Sequence, residues 1–298
     1  MTTDHVQVHL GGRFIEPAHA TVSLLDRGYL LGDGVFATMR GYDGVCFRPA
    51  HHLDEIARGA AMFGFEVPSP LDEIARLADE AARRTNVSNA YVRVTLTHGP
   101  EDVGPTLSII ARPMDVPAED AYTRGIVAVT VKPRRIPPAC IDGTIKTTSY
   151  AVQVLARREV RERNAQEGVQ LTIDGALACG TMSTLFIVRG RELLTPSLES
   201  GCRAGVTRAA VLELAPQLGF TVREQRLEPA ALLLADEAFF ASTRVECLPI
   251  KRVDDHPIGR GDFERTHALR AALVALVRSD TERRRTQLSR ANTDESSR

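Results

Sequence analysis

The chain opens on strand-like alternation, passes through two stretches of helical period, and returns to alternation. Val6, Val8 and Leu10 alternate with polar neighbours, so residues 1–10 read as a strand, and Gly11-Gly12 turns the chain into a second short one. Asp26-Arg27-Gly28 and Gly32-Asp33-Gly34 punctuate a loop before Val35-Phe36. Residues 51–63 and 71–84 carry apolar positions at helical spacing. Residues 91–97 alternate and are rich in β-branched side chains, which predicts a strand, and 108–111 predict another. A polar, proline-containing stretch, 113–123, interrupts the pattern and reads as a linker. Beyond it come a strand (126–131), a long helix (148–164, with Val152, Leu155 and Val160 on one side), and strands at 169–173 and 185–188. An Ala/Leu-rich helix (206–218), a strand (238–241) and a last helix (263–277) follow. Residues 281–298 are charged and Ser/Thr-rich with little to bury, so a disordered tail is expected. The pattern predicts an α+β protein with domains over 1–112 and 124–280.

Composition narrows the function classes. With 298 residues and 43% hydrophobic positions, the chain can bury a large core, and its length favours two domains over one. Lys+Arg number 37 and Asp+Glu 38, a formal net charge of -1, which gives no electrostatic case for nucleic acid or an anionic membrane. No apolar run is long enough to span a bilayer, and the N-terminus lacks the basic and apolar regions of a signal peptide. The five cysteines (Cys46, Cys140, Cys179, Cys202, Cys247) are scattered and never spaced Cys-x-x-Cys. That argues against a disulfide framework and a structural metal site, and for a reducing, cytoplasmic compartment.

Three segments carry candidate chemistry. The loop Gly201-Cys202-Arg203-Ala204-Gly205-Val206-Thr207-Arg208 runs into a helix, and free N–H groups at a helix start, with a threonine hydroxyl beside them, make a phosphate site. Taken alone it is more often an ordinary glycine turn with an N-cap. In Thr144-Ile145-Lys146-Thr147-Thr148-Ser149-Tyr150, one lysine follows an apolar residue and precedes small hydroxyls and a tyrosine. A nucleophilic lysine must be partly buried to shed its proton. Lysines in general are exposed, so this segment is not diagnostic alone either. The strand ending in Ser242-Thr243 offers two further hydroxyl donors, or simply a polar strand end.

The ordered combination is specific. Asp26-Arg27-Gly28 with Gly32-Asp33-Gly34-Val35-Phe36, then His52-Leu53, Tyr91-Val92-Arg93, Ile145-Lys146, Gly205-Val206-Thr207-Arg208 and Ala235-Asp236-Glu237 resembles the class IV aminotransferases, from about Val6 to Val253. The relatives are branched-chain aminotransferase, D-amino-acid aminotransferase and aminodeoxychorismate lyase. The resemblance implies the fold type IV, D-amino-acid aminotransferase-like architecture: two α+β domains, with pyridoxal 5'-phosphate (PLP) in the cleft between them, and a homodimer. It implies Lys146, on the C-terminal domain, as the Schiff-base lysine that also carries the substrate α-proton. Tyr150 would hydrogen-bond the cofactor, and Val206, Thr207, Ser242 and Thr243 would form a phosphate cup. Arg40 and Arg93 would stand on the substrate side. The reaction implied passes an amino group from a small amino acid or amine to a keto-acid acceptor.

Four positions depart from the family pattern. Cys179 stands where a glutamate faces the pyridine nitrogen, and Thr184 where an asparagine is usual. Glu55 takes the place of an arginine that binds the cofactor phosphate, with Arg58 one turn later. Ala37 follows Phe36 where many aminotransferases have glutamate. The alternative to an ordinary aminotransferase is therefore a homologue with altered or PLP-independent chemistry in the same cleft.

Overall fold

The computed structural model describes the backbone of residues 5–296 and side chains through Arg290, so residues 1–4 of the expected first strand and the last two of the expected tail lie outside it. The chain divides into two compact units. The first comprises Met1–Asp115, Ile145–Ser149 and Ala275–Arg298, and the second Val116–Thr144 and Tyr150–Val274.

The first unit is a six-stranded antiparallel sheet covered on one face by helices. Its elements are β1 (Gln7–Leu10), β2 (Arg13–Ile15), α1 (Arg27–Leu31), β3 (Gly34–Tyr42), β4 (Val45–Cys46), α2 (Pro49–Phe63), α3 (Leu71–Arg84), β5 (Asn89–Thr97) and β6 (Thr106–Pro113). The strand order is β2-β1-β6-β5-β3-β4. Alternation sorts the two faces: Ala90, Val92, Val94 and Leu96 of β5 are buried, with Ala37 and Met39 of β3, against Leu53, Ile56 and Ala60 of α2 and Ile74 and Ala78 of α3. The intervening residues of β5, from Asn89 to Thr97, form the other face and are half-buried. Helix α2 ends at Gly64, whose left-handed backbone lets its N–H reach the last-turn carbonyls.

The second unit is built around a nine-stranded mixed sheet. In chain order it contains α4 (Glu119–Arg124), β7 (Ile126–Thr130), α5 (Ala151–Glu162), β8 (Glu167–Leu171), β9 (Leu177–Gly180), β10 (Thr184–Arg189), β11 (Glu192–Pro196), α6 (Val206–Leu214), β12 (Thr221–Gln225), α7 (Ala230–Leu233), β13 (Glu237–Ser242), β14 (Glu246–Val253) and β15 (His256–Pro257). The order is β12-β11-β10-β13-β14-β7-β8-β9, with β15 on β14. Leu185, Ile187, Phe240, Leu248 and Ile250 are central to its core. Both units mix helices and strands, as an α+β reading requires.

Two expectations are corrected. The tail expected over 281–298 is instead helical as far as Ser296, because α8 (Glu264–Ser296) continues well past the end expected at 277. Two of its charges find partners on other elements of the first unit: Arg284 donates to the fully buried Asp79 at 2.6 Å, and Asp280 accepts the Arg48 N–H at 3.3 Å. Helices of this length owe their stability to such tertiary docking more than to propensity. The second correction concerns the lysine segment, which groups with the first unit and not with the C-terminal one. The cause is hydrogen bonding to β3, described below.

The Arg284–Asp79 pair carries a stability prediction. Asp79 also accepts the Cys46 N–H at 2.7 Å, and burial pushes its carboxyl upward while the Cys46 N–H and Arg284 pull it down. Arg284→Met is expected to cost roughly 3 kcal/mol, the low end for removing one partner of a buried pair, read as a lowered urea midpoint at neutral pH. An unmoved midpoint would mean that α8 contributes nothing to the first unit through this residue.

Candidate functional site

In the first unit, the segment Ile145–Ser149 runs along β3 and pairs with it through a single bridge. The Phe36 N–H donates to the Lys146 carbonyl at 2.9 Å, the Thr148 N–H to the Gly34 carbonyl at 2.8 Å, and Val35 pairs with Thr147. The Thr148 hydroxyl caps the Gly32 carbonyl at 2.8 Å. Ile145 is buried against α2, where a Cβ on Gly59 would come within 2.7 Å of it and 2.6 Å of Val35. Glycine is therefore required for this close approach of helix and strand. Lys146 is fixed by its backbone, half-exposed, with Nζ 5.6 Å from the centre of the Phe36 ring.

Arg93 lies over the same ring, its Cζ 3.6 Å from the centre, and its Nε donates to the Thr95 hydroxyl at 2.9 Å. Lys146 and Arg93 thus both adjoin Phe36. Arg40 is buried, gives Nε and Nη2 to the Asn89 side-chain oxygen at 2.9 and 2.7 Å, and stacks on Tyr42. Of the departures, Glu55 is buried in α2 at 5% exposure, one turn before Gly59 on the helix, so it does not point to solvent. Ala37 lies in the apolar core, on the face away from Phe36, so its departure concerns packing.

In the second unit, α6 opens at Val206 behind an N-cap Gly205 that supplies no side-chain cap. The first-turn N–H groups are therefore left for another acceptor. A Cβ built on Gly205 would meet nothing within 4 Å, so there is room in front of this helix start. Thr207 is buried at 9% exposure, and its hydroxyl has no partner among the described residues. Arg208 pins the helix from behind through Glu224 at 2.7 Å and the Pro196 carbonyl at 3.2 Å. Ser242 ends β13 and Thr243 enters the following turn, both half-buried. Tyr150 stands at the N-cap position of α5.

Cys179 sits in β9, paired in register with Gln170 of β8. Its thiol is buried and lies 3.9 Å from the Gln170 side-chain oxygen. Burial pushes the thiol up to about 11, against a partial pull from the Arg135 guanidinium, so at neutral pH it is a protonated, neutral group. Thr184, in β10, is buried too.

Two residues of this unit had no motif to reveal them. Arg135 is buried and donates to the Gly201 carbonyl at 2.6 Å and the Gly143 carbonyl at 3.3 Å, fixing the start of the glycine loop. Glu167 accepts from the Thr181 hydroxyl and N–H and from the Ser183 hydroxyl, tying down the turn after Cys179. The only signal for Arg135 was its place in the Arg134-Arg135 pair before a proline-rich stretch.

These residues fit PLP at two points. Lys146 supplies an amine held by its own backbone, and the uncapped α6 start with the Thr207 hydroxyl supplies donors for a phosphate. At the two positions where the resemblance implies a glutamate and an arginine stand a neutral thiol, Cys179, and a buried glutamate, Glu55.

Comparison with known proteins agrees with this architecture. The family model "Amino-transferase class IV" matches residues 34–253. A Methanocaldococcus jannaschii protein provisionally named a branched-chain-amino-acid aminotransferase is 33% identical over 85% of this chain and 90% of its own length. The aminodeoxychorismate lyase of Bacillus subtilis is 30% identical over 88% and 92%. Among solved structures, the Escherichia coli branched-chain amino acid aminotransferase matches with a TM-score of 0.86 at 29% identity, covering 92% of this chain and 95% of that one. The T.th. branched-chain amino acid aminotransferase, solved with pyridoxamine 5'-phosphate, matches with a TM-score of 0.85 at 25% identity over 91% and 94%. The chain therefore belongs to the class IV aminotransferases, enzymes of fold type IV whose cofactor is pyridoxal 5'-phosphate.

Proposed function

We propose that this chain is an aminotransferase that moves an amino group from a small amino acid or amine to a keto-acid acceptor, with Lys146 as the covalent anchor of the cofactor. The observation that carries this reading is the lysine itself, locked to β3 by backbone hydrogen bonds with its Nζ beside Phe36. When bound, PLP supplies an aldehyde that takes up the amino group and a ring that accepts the electrons left by the departing α-proton. Lys146 Nζ binds that aldehyde and then carries the α-proton as general base and acid. Val206 and Thr207, with Ser242 and Thr243, hold the phosphate, and Tyr150 holds the ring. Cys179 faces the pyridine nitrogen in this reading, and Arg40 and Arg93 orient the substrate. The Cys179 thiol favours a second possibility, a weak transaminase whose natural reaction differs, because a neutral group stands at that position.

The working unit in this proposal is a homodimer. Leu24, Leu25, Tyr29, Leu30 and Leu31, in and just before α1, are all more than half exposed, a concentration of apolar surface that a second copy would cover. No helix among the described residues is long and apolar enough to cross a membrane, and we place the enzyme in the cytoplasm.

The phosphate cup gives the direct test. Thr207→Val keeps the shape and removes one donor to a charged oxygen, which is expected to cost about 1.5–3 kcal/mol of PLP binding. The measurement is the PLP dissociation constant by absorbance titration, rising about tenfold or more. An unchanged constant would remove Thr207 from the cup.

A further inference from the structure

A buried guanidinium of the second unit has no counter-ion. Arg135 is 8% exposed, and it forms no ion pair among the described residues. Its Nε donates to the Gly201 carbonyl at 2.6 Å and its Nη2 to the Gly143 carbonyl at 3.3 Å, which leaves Nη1 without a hydrogen-bond partner among the described residues. The side chain is held close. A Cβ on Gly201 would come within 3.2 Å of the Arg135 Cγ, and one on Gly143 would run into the Gly201 carbonyl, so these two glycines let the loop fold around the guanidinium. The Arg135 backbone N–H is tied to the Leu171 carbonyl of β8 at 2.9 Å.

The same contacts bring Arg135 to the neighbourhood of Cys179. Gln170, one residue before Leu171, pairs with Cys179 in register and gives its Nε2 to the Pro133 carbonyl at 3.2 Å. Cys179 also packs against Cys202, the residue that follows Gly201. The charges around the Cys179 thiol are those of Arg135, Arg203 and Glu167, beside the Cys202 thiol. Glu167 is engaged elsewhere, accepting from Thr181 and Ser183 and pairing with Arg157 at 3.4 Å. Burial keeps the proton on Cys179, so the thiol brings no negative charge of its own. Two arginines against one occupied carboxylate make this corner electropositive. Neutral donors would suffice to hold two carbonyls, and burying a charge without a counter-ion is costly, so the loop alone does not account for an arginine here.

We infer that Arg135 is a cofactor-contacting residue, which gives its unengaged Nη1–H to the ring nitrogen of PLP and holds that nitrogen unprotonated. This inference rests on the proposed placement of Cys179 beside the pyridine nitrogen. A guanidinium only donates, so its partner must offer a lone pair, which the pyridine nitrogen has only when it carries no proton. A cation at hydrogen-bond distance also opposes the arrival of a second positive charge on that nitrogen. The neutral Cys179 thiol leaves Arg135 unopposed. The ring then draws electrons weakly, in keeping with slow amino-group transfer by the native chain.

The test is the nitrogen chemical shift of PLP isotopically labelled at its ring nitrogen, bound to the native chain, to Arg135→Gln and to Arg135→Lys. The native complex is expected to give the unprotonated position at neutral pH. Arg135→Gln, which keeps an N–H for the Gly201 carbonyl and loses the charge, should move the signal towards the protonated position. Arg135→Lys, which keeps a cation, should stay near the native value. A melting curve like that of the native chain certifies that each variant is folded. A second measurement needs no variant. The PLP analogue with C–H in place of the ring nitrogen should bind the native chain about tenfold more weakly than PLP, the worth of one hydrogen bond from a charged donor. If Arg135→Gln does not fold, the native signal and this analogue decide the matter. A protonated ring nitrogen in the native complex, equal affinities for PLP and the analogue, or a signal indifferent to a folded Arg135→Gln would each overturn the inference and leave the aminotransferase reading standing. A folded chain that takes up no PLP would end both together.

Discussion

Lys146→Ala should abolish amino-group transfer and, with it, the visible absorbance of the PLP-loaded protein. Both effects come from one atom. Nζ is the only amine on the segment Ile145–Ser149 beside β3 that could take the covalent attachment, and in the proposed reading it also carries the α-proton. General acid and base catalysis by one positioned group contributes about 10²–10⁴-fold, so a loss of at least that size is expected. The substitution removes a half-exposed side chain and leaves the hydrogen bonds of the Lys146 carbonyl and the Thr148 N–H to β3 untouched, so the fold should survive. Circular dichroism and the melting temperature check that survival. A variant that stays folded and retains native turnover would place the chemistry elsewhere.

Cys179→Glu should accelerate the first half of amino-group transfer. In the proposed reading the side chain of residue 179 faces the pyridine nitrogen. A carboxylate there raises the nitrogen's proton affinity, because an opposite charge within hydrogen-bond reach favours the charged form. The native thiol cannot play that part, since burial holds its proton up to about pH 11. The native enzyme should accordingly be slow with ordinary amino acids, and Cys179 should add no inflection to its rate between about pH 6 and 10, below the point at which the thiol ionises. Every 1.4 kcal/mol of restored stabilisation is worth about tenfold in rate. Arg135, close enough to depress the thiol's proton affinity, helps the new carboxylate to stay ionised. Single-turnover spectra with a panel of L- and D-amino acids would measure this, with Cys179→Ser as the control. If Cys179→Ser destroys the natural activity and Cys179→Glu creates no transaminase, the thiol serves different chemistry. Rapid native transfer indifferent to both changes would mean that residue 179 is not at the pyridine nitrogen.

The parts of the fold that periodicity revealed are those whose two faces differ most. Helix α3 occupies the expected 71–84, and β5 contains the expected 91–97, because one face of each is apolar and the other polar. Strands β9, β12 and β14 escape the pattern for different reasons. Leu177–Gly180 is buried at every position and short, Thr221–Gln225 is polar and largely exposed, and Glu246–Val253 contains a proline. None of these alternates cleanly. The end of α8 escapes composition, which weighs charge and cannot see that Asp79 and Arg284 meet across 205 positions of sequence. The same limit applies to the candidate site. Lys146 and the α6 start were legible as local motifs. The attachment of Ile145–Ser149 to β3, the burial of Glu55 and the grip of Arg135 on the glycine loop depend on distant partners and had no local signature.

The central claim is that Lys146 carries the cofactor, and chemical trapping tests it most directly. The purified chain is incubated with PLP, reduced with borohydride, digested and mapped by mass spectrometry. The account predicts one phosphopyridoxyl adduct, on Lys146, lost in Lys146→Ala. A folded chain that takes up no PLP, or an adduct on Lys132 or Lys251 with Lys146 unmodified, would contradict it.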